Sequence, residues 1–284
     1  MYFWKPEHCR HIAILPSSSY AAASPPASNS PLFAARGITF RHANFDDPAT
    51  LDHAFADVEN LFFVSTNTFD NARRRIQHQN VVDAAKKAGV AHVWYTSLAF
   101  GGFGSESRAA VQQAHYMTEG MLKESGVTYT SIREGLYTEP FPLFLNWFPD
   151  SATLYLPSSS SSGGGGGGED GGIAFTLRSE LGEANAKLLL KGGHENEIVL
   201  FTARESITLP QIVAIIHETT GRDVALEFVG SEAYVEKNAA GDVGNKSAAF
   251  FEMMVSWYEG IGRGELSVTD GLMAEGTDGA GCGD

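Results

Sequence analysis

The stretch NLFFVSTNTFDNARRRIQHQNVVDAAKKAGVAHVWYTS, residues 60–97, decides the fold. It opens with the near-continuous apolar run NLFFVST (60–66), the pattern of a strand buried on both faces. Residues 71–88 then read as a helix with Ile76, Val81, Ala84, Ala85 and Ala88 on its inner side, stopped by Gly89. AHVWYTS (91–97) is a second buried strand. Two such strands joined through a helix make a parallel crossover, not a hairpin.

The same alternation extends in both directions. GITFRHA (37–43) is a strand, and 46–58 is a helix with Asp47 as N-cap and Pro48 at its first position. A long helix covers 108–125, and TYTSIRE (128–134) is the next strand. This order predicts an α/β fold with a parallel sheet covered by helices on both faces. Beyond Tyr137 the pattern loosens into helices at 178–192, 208–221 and 248–266 and strands at 197–203 and 224–230. Those segments read as a smaller C-terminal α/β lobe of one domain spanning 1–284. On the last helix Phe250, Phe251, Met254, Val255 and Tyr258 form one stripe. SSSSSGGGGGGEDGG (158–172) reads as a flexible low-complexity insert, and 274–284 as a frayed tail.

The chain has 284 residues, is 43% hydrophobic and carries a net charge of −14. That balance argues against non-specific nucleic-acid binding, which depends on basic patches. The one basic cluster, Arg73-Arg74-Arg75, reads either as the solvated start of a helix or as a phosphate-facing feature. Cys9 and Cys282 lie near the termini, far from any metal-ligand spacing, so a reducing, cytoplasmic setting is expected and no metal site. MYFWKPEHCR (1–10) lacks the apolar core of a signal peptide, and no run of about 18 apolar residues predicts a membrane span.

In sheets of this type ligands sit beyond the carboxyl ends of the strands. The alternation places 44–47, 65–68, 96–100 and 133–137 there. His115 and Glu119 lie four apart on one face of the 108–125 helix. Ser97 ends a buried strand and can hydrogen-bond a ligand or its own backbone. Tyr137 follows a strand and can stack on a planar group or pack in the core. Asp46 and Asp47 read as cap residues as readily as ligand contacts.

At this point the chain resembles the NmrA-like family of atypical short-chain dehydrogenases/reductases, in the branch of NAD(P)H-dependent quinone reductases. The resemblance rests on FAARGITFRHANFDDPATLDHAF (33–55), NLFFVST, HQNVVDAAKKAGVAHVWYTSLAF (78–100), HYMTEGMLKESGVTYTSIREGLYTEPF (115–141) and RSELGEANAKLL (178–189). WYEGIGRGELSVTDGL (257–272) is similar to fungal members. The resemblance implies a Rossmann-like doubly wound sheet binding NADP or NAD. It implies that Asn44, Phe45 and Asp46 lie near the adenine and Ser65, Thr66 and Asn67 near the ribose and pyrophosphate. Tyr95, Thr96, Ser97 and Leu98 would lie beside the nicotinamide. His115 and Glu119 match the family's H-x-x-x-E, with His115 as proton donor and Glu119 orienting its ring. Arg133, Gly135 and Tyr137 would line the substrate side.

One break stands out. The family opens with a strand, a G-x-x-G-x-x-G turn and a helix, and here no glycine precedes Gly37. HIAIL (11–15) matches the family's second strand, with Pro16 where a phosphate-reading arginine belongs. In the strand order 3-2-1-4-5-6 the missing first strand is central. Burying five apolar side chains there is worth roughly 10 kcal/mol, as much as a whole domain's stability of about 5–15 kcal/mol. A stable fold is therefore expected to reuse HIAIL, or MYFW (1–4), as its central strand, with cofactor binding weakened or absent. The expected function is an NAD(P)H-dependent reductase of a quinone or related carbonyl compound, with a homodimer allowed. The alternatives are a non-catalytic NAD(P)-sensing regulator and a shortened member that has lost the cofactor.

Overall fold

The computed structural model describes residues 16–25, 27–158, 171–240 and 242–277. Its centre is a four-stranded parallel sheet in the order β3-β4-β5-β8, built from Asn60–Phe63, His92–Leu98, Thr128–Glu134 and Glu197–Phe201. Helix α3 (Asn71–Ala88) joins β3 to β4, and α4 (Ala110–Ser125) joins β4 to β5. The register pairs Tyr95 with Ser131 and Ser97 with Arg133. Every residue of β4 is buried, as its apolar sequence predicts.

Both crossover helices end where the sequence says. Asp70 caps α3 by accepting from the amides of Ala72 and Arg73. Gly89 and Gly126 then take left-handed φ values of 70° and 76° after α3 and α4, a conformation other residues rarely adopt. The inner face of α3 holds the expected Val81, Ala84 and Ala85 but departs from the expected one in its first turns. Arg74, Gln77, His78, Val81 and Ala85 point inward, and Ile76 is 63% exposed. Polar side chains took inner positions that an apolar pattern alone assigned to Ile76.

A separate parallel pair precedes the sheet. β1 (Ala21–Ser24) runs beside β2 (Thr39–His42), with α1 (Ser30–Ala34) between them in sequence. AAAS thus occupies the place beside β2 that the sequence assigned to HIAIL. Its small side chains alternate between exposed and half-buried, a strand signal too weak to read by hydrophobicity. HIAIL and MYFW lie outside the described residues. Helix α2 (Pro48–Ala54) follows β2, capped by Asp47 as expected.

The elements after β5, besides β8, are α5 (Phe141–Leu145), β6 (Thr153–Pro157), β7 (Gly172–Ile173), α6 (Arg178–Lys191), β9 (Ile207–Thr208), α7 (Leu209–Thr220), β10 (Ala225–Val229), α8 (Ser231–Ala239), α9 (Ala248–Gly262) and α10 (Leu272–Thr277), of which α6 and α10 pack on the central sheet. β6 pairs with β10 in parallel and β7 with β9 antiparallel. Phe251, Met254, Trp257, Tyr258 and Ile261 bury one face of α9, close to the predicted stripe.

Two boundaries need correction. The insert read as 158–172 ends earlier, because Gly172 is a strand residue facing Thr208 and the Ser158 amide donates to the Val229 carbonyl. A β-carbon at Gly171 would come within 2.1 Å of the Ile261 carbonyl oxygen, so the glycine run supplies close backbone approach there. The tail read as frayed from 274 is helical through Thr277, and α10 packs Met273 into the cluster of Trp94, Ile132, Leu181 and Phe201. Residues 159–170 and 278–284 lie outside the described residues. Among the described residues no helix is long and apolar enough to cross a membrane.

Candidate active site

Strand alternation divides the site between the two faces of the sheet. Tyr95, Ser97, Ser131 and Arg133 point toward α4. Glu134 points the other way, toward Asn185 on α6.

On the α4 face Glu119 is the hub. Arg133 grips its carboxylate with two nitrogens, Nε to Oε1 at 2.9 Å and Nη2 to Oε2 at 2.7 Å. Ser97 and Ser131 donate to Oε1 at 2.8 and 2.7 Å. The remaining Arg133 nitrogen, Nη1, donates to the Gly102 and Gly104 carbonyls, both at 2.6 Å, tying down the loop after β4. Arg133 is 0% exposed, so it is a buried framework cation and not a surface on which substrate rests. Glu119 therefore does not orient His115. Spacing alone could not separate these readings, since both partners sit within reach of one helix face.

His115 pairs instead with Tyr95, Nδ1 to hydroxyl, at 2.8 Å. Burial, reinforced by the Arg74 and Arg133 charges, holds the imidazole well below its ordinary pKa, so it is neutral near pH 7. Burial likewise pushes the Tyr95 phenol up. A phenol is the stronger donor and an imidazole nitrogen the stronger acceptor, which places the ring's own proton on Nε2.

A second histidine, absent from the sequence-derived site, braces the loop after β3. His78 Nε2 accepts from the Thr66 amide at 3.1 Å. Nδ1 must then carry the proton, which it donates to Thr118 Oγ1 at 2.7 Å, and Thr118 donates on to the Ala114 carbonyl at 3.1 Å. Burial lowers the His78 pKa to about 3. Arg74 is also buried and donates to the Thr66 carbonyl at 2.8 Å. Of the three arginines read as solvated or phosphate-facing, Arg74 thus turns under the site. Arg73 remains outside, paired with Asp46 at 2.7 Å.

The remaining expected residues divide. Thr96 Oγ1 accepts from the Ser65 amide at 3.0 Å, joining the ends of β3 and β4, and Asn67 is exposed above them. Asn44 Oδ1 accepts from the Asp46 amide, and the Phe45 carbonyl accepts from Asn80. The Arg73 and Gln77 hydrogen bonds hold the Asp46 carboxyl below its ordinary pKa. Gly135 is packed: a β-carbon there would lie 2.7 Å from the Ala174 carbonyl oxygen. Tyr137 belongs to the opposite sheet face, where its hydroxyl donates to Glu134 at 2.5 Å. Arg133, Gly135 and Tyr137 thus do not form one substrate wall. Leu136 instead joins Phe141, Phe144, Phe175, Met254 and Tyr258 around an apolar cavity of about 10 Å³, room for one water. Among the described residues no cluster of ligands could hold a metal ion.

Residues 22–275 match the NmrA-like family. The chain belongs to that family. It is 50% identical over 266 residues to the NmrA-like family domain-containing oxidoreductase flvB of Aspergillus flavus, covering 93% of this chain and 83% of that one. It is 31% identical over 251 residues to quinone oxidoreductase 2 of Escherichia coli, covering 84% and 82% respectively. Among solved structures, the triphenylmethane reductase of Citrobacter sp. complexed with NADP(H) superposes with a TM-score of 0.78 at 27% identity, covering 95% of this chain and 90% of that one. The α/β fold with parallel sheets is the fold of NAD(P)-binding Rossmann-like reductases.

Proposed function

We propose that this protein is a nicotinamide-dependent reductase acting on a quinone or a related planar carbonyl compound, with His115 as proton donor. The observation that carries the reading is the buried His115–Tyr95 pair between α4 and the middle of β4. Its oxidoreductase relatives support the same chemistry.

The donor set suits a nicotinamide and its ribose. Ser65, Thr66 and Asn67 lie in the loop after β3, where the buried Arg74 cation donates to the Thr66 carbonyl, and Thr96 accepts from the Ser65 amide. Asn44, Phe45 and Asp46 would flank the adenine. A glycine-rich turn for the pyrophosphate is absent among the described residues, so the reading carries weak affinity with it. The cofactor, when bound, supplies the hydride.

The chain's own residues do the rest. Tyr95 donates to His115 Nδ1 and keeps the imidazole proton on Nε2, where it can reach a substrate oxygen. The low basicity of His115 makes its protonated form a strong acid, and its neutral form a hydrogen-bond donor that polarises a carbonyl. Ser97 gives its proton to Glu119, so its oxygen is an acceptor for a ligand N–H or O–H. Arg133 and Glu119 hold the loop after β4 and the α4 helix in place around it.

The test is His115→Ala, assayed with NADPH and with NADH against a small para-quinone. Loss of a positioned acid lowers rates by about 10²–10⁴-fold in general, and at least tenfold is expected here, with nucleotide affinity changed less than about threefold. Equal turnover in wild type and variant would remove His115 from the chemistry. Saturable nucleotide binding without turnover on any quinone would favour nucleotide sensing instead.

A further inference from the structure

Gln112 lies fully buried on α4, and neither its amide nitrogen nor its carbonyl oxygen has a hydrogen-bond partner. Buried amides are almost always satisfied, because an unpaired polar group disfavours folding. This one leaves a donor and an acceptor open together.

Its position gives the orphaned amide meaning. Gln112, His115 and Glu119 are spaced three and four apart, so they share one face of α4. His115 and Glu119 direct that face onto Tyr95, Ser97, Ser131 and Arg133. In a parallel crossover the helix runs against its strands, so the N-terminal turn that carries Gln112 lies at the carboxyl edge of the sheet. There α4 meets α9: the Ala110 amide donates to Ser256 Oγ at 3.3 Å. The indole N–H of the neighbouring Trp257 is also buried without a partner.

We infer that Gln112 is a ligand-reading residue, which binds a planar group carrying one hydrogen-bond acceptor beside one donor. The inference rests on the reductase reading. Two groups of this chemistry belong to it: the carboxamide of the nicotinamide ring, and a carbonyl with an adjacent hydroxyl on a substituted quinone. Either would satisfy both amide atoms at once.

The experiment compares wild type with Gln112→Met, which keeps length and volume and removes both hydrogen-bonding atoms, and with Gln112→Leu as a second apolar replacement. Three quantities are measured: the melting temperature of the free protein, the Kd for NADPH by fluorescence titration, and the KM for a hydroxyquinone. The melting temperature should stay level or rise, since no satisfied bond is removed. The Kd or the KM should rise about tenfold or more, the effect of two neutral hydrogen bonds. A cofactor analogue with an acetyl group in place of the carboxamide separates the two sources. If Gln112 reads the carboxamide, wild type discriminates against the analogue and Gln112→Met does not. If it reads the substrate, wild type prefers the hydroxyquinone over its unsubstituted parent and the variant loses that preference. Unchanged Kd and KM in both variants overturn the inference. A melting temperature lowered by more than about 5 °C with binding unchanged also overturns it, and identifies the amide as a core group held by buried water. Wild type that binds neither NADPH nor NADH overturns the reductase reading and this inference with it.

Discussion

Replacing Arg133 by Met tests the framework beneath the site. Arg133 is wholly buried, as is nearly all of Glu119, and among the described residues the arginine is the only cation paired with that carboxylate. After the replacement, Glu119 keeps only the hydroxyls of Ser97 and Ser131, and the Gly102 and Gly104 carbonyls lose their shared donor. Removing one partner of a buried pair costs about 3–5 kcal/mol, a large part of a stability of about 5–15 kcal/mol. A chain of this size loses about 2–4 °C per kcal/mol, so the melting temperature should fall by roughly 10 °C. The double variant Glu119→Gln/Arg133→Met removes the stranded charge and keeps an acceptor for both serines. It should recover more than half of the loss, leaving the part due to the loop carbonyls. Urea unfolding of the four proteins in the cycle gives the coupling directly. A loss below about 1 kcal/mol in the single variant, or a double variant no more stable than the single, would refute the buried-pair reasoning.

Other expectations follow from single groups. Burial raises the Glu134 pKa from 4.5 to about 7, with Tyr137 and Asn185 only partly offsetting it. Between those values the folded state holds a proton that the unfolded state has released, so this group's stabilisation is full below about pH 4.5 and is lost as pH rises through 7. Wild-type stability measured relative to Glu134→Gln should therefore fall by up to about 3 kcal/mol from pH 5 to 8; a flat difference would contradict the burial argument. His78 acts in the opposite sense, because its neutral form is required: the fold should weaken as pH drops below 6.5 toward 3, as read by chemical denaturation of wild type against His78→Asn. Gly171→Ala should lower stability by about 2 kcal/mol in urea melts, since its β-carbon meets the Ile261 backbone, and an unchanged midpoint would show that α9 can shift.

Strands β3 to β5 and helices α3 and α4 were legible because their apolar runs and terminal glycines encode burial and chain reversal locally. β1 was not, because three alanines and a serine form a strand only through the β2 edge they pair with. The site was half legible. Spacing put His115 and Glu119 on one helix face, but their partners depend on which β4 and β5 side chains face α4, and on Arg133 reaching Glu119 before any ligand does. The buried roles of His78, Arg74 and Glu134 went unread for a common reason. Each lies inside an otherwise ordinary helix or strand, and only the fold shows that it is buried. Gln112 carried no signal in sequence at all, since a helical glutamine is ordinarily a solvated residue.

The most direct measurement is a fluorescence titration of the purified protein with NADPH and with NADH. The reductase account predicts saturable binding of at least one of them, with a Kd of about tens of micromolar or weaker for want of a glycine turn among the described residues. A sub-micromolar Kd would mean that another segment supplies the phosphate site. No saturable binding of either nucleotide would contradict the account.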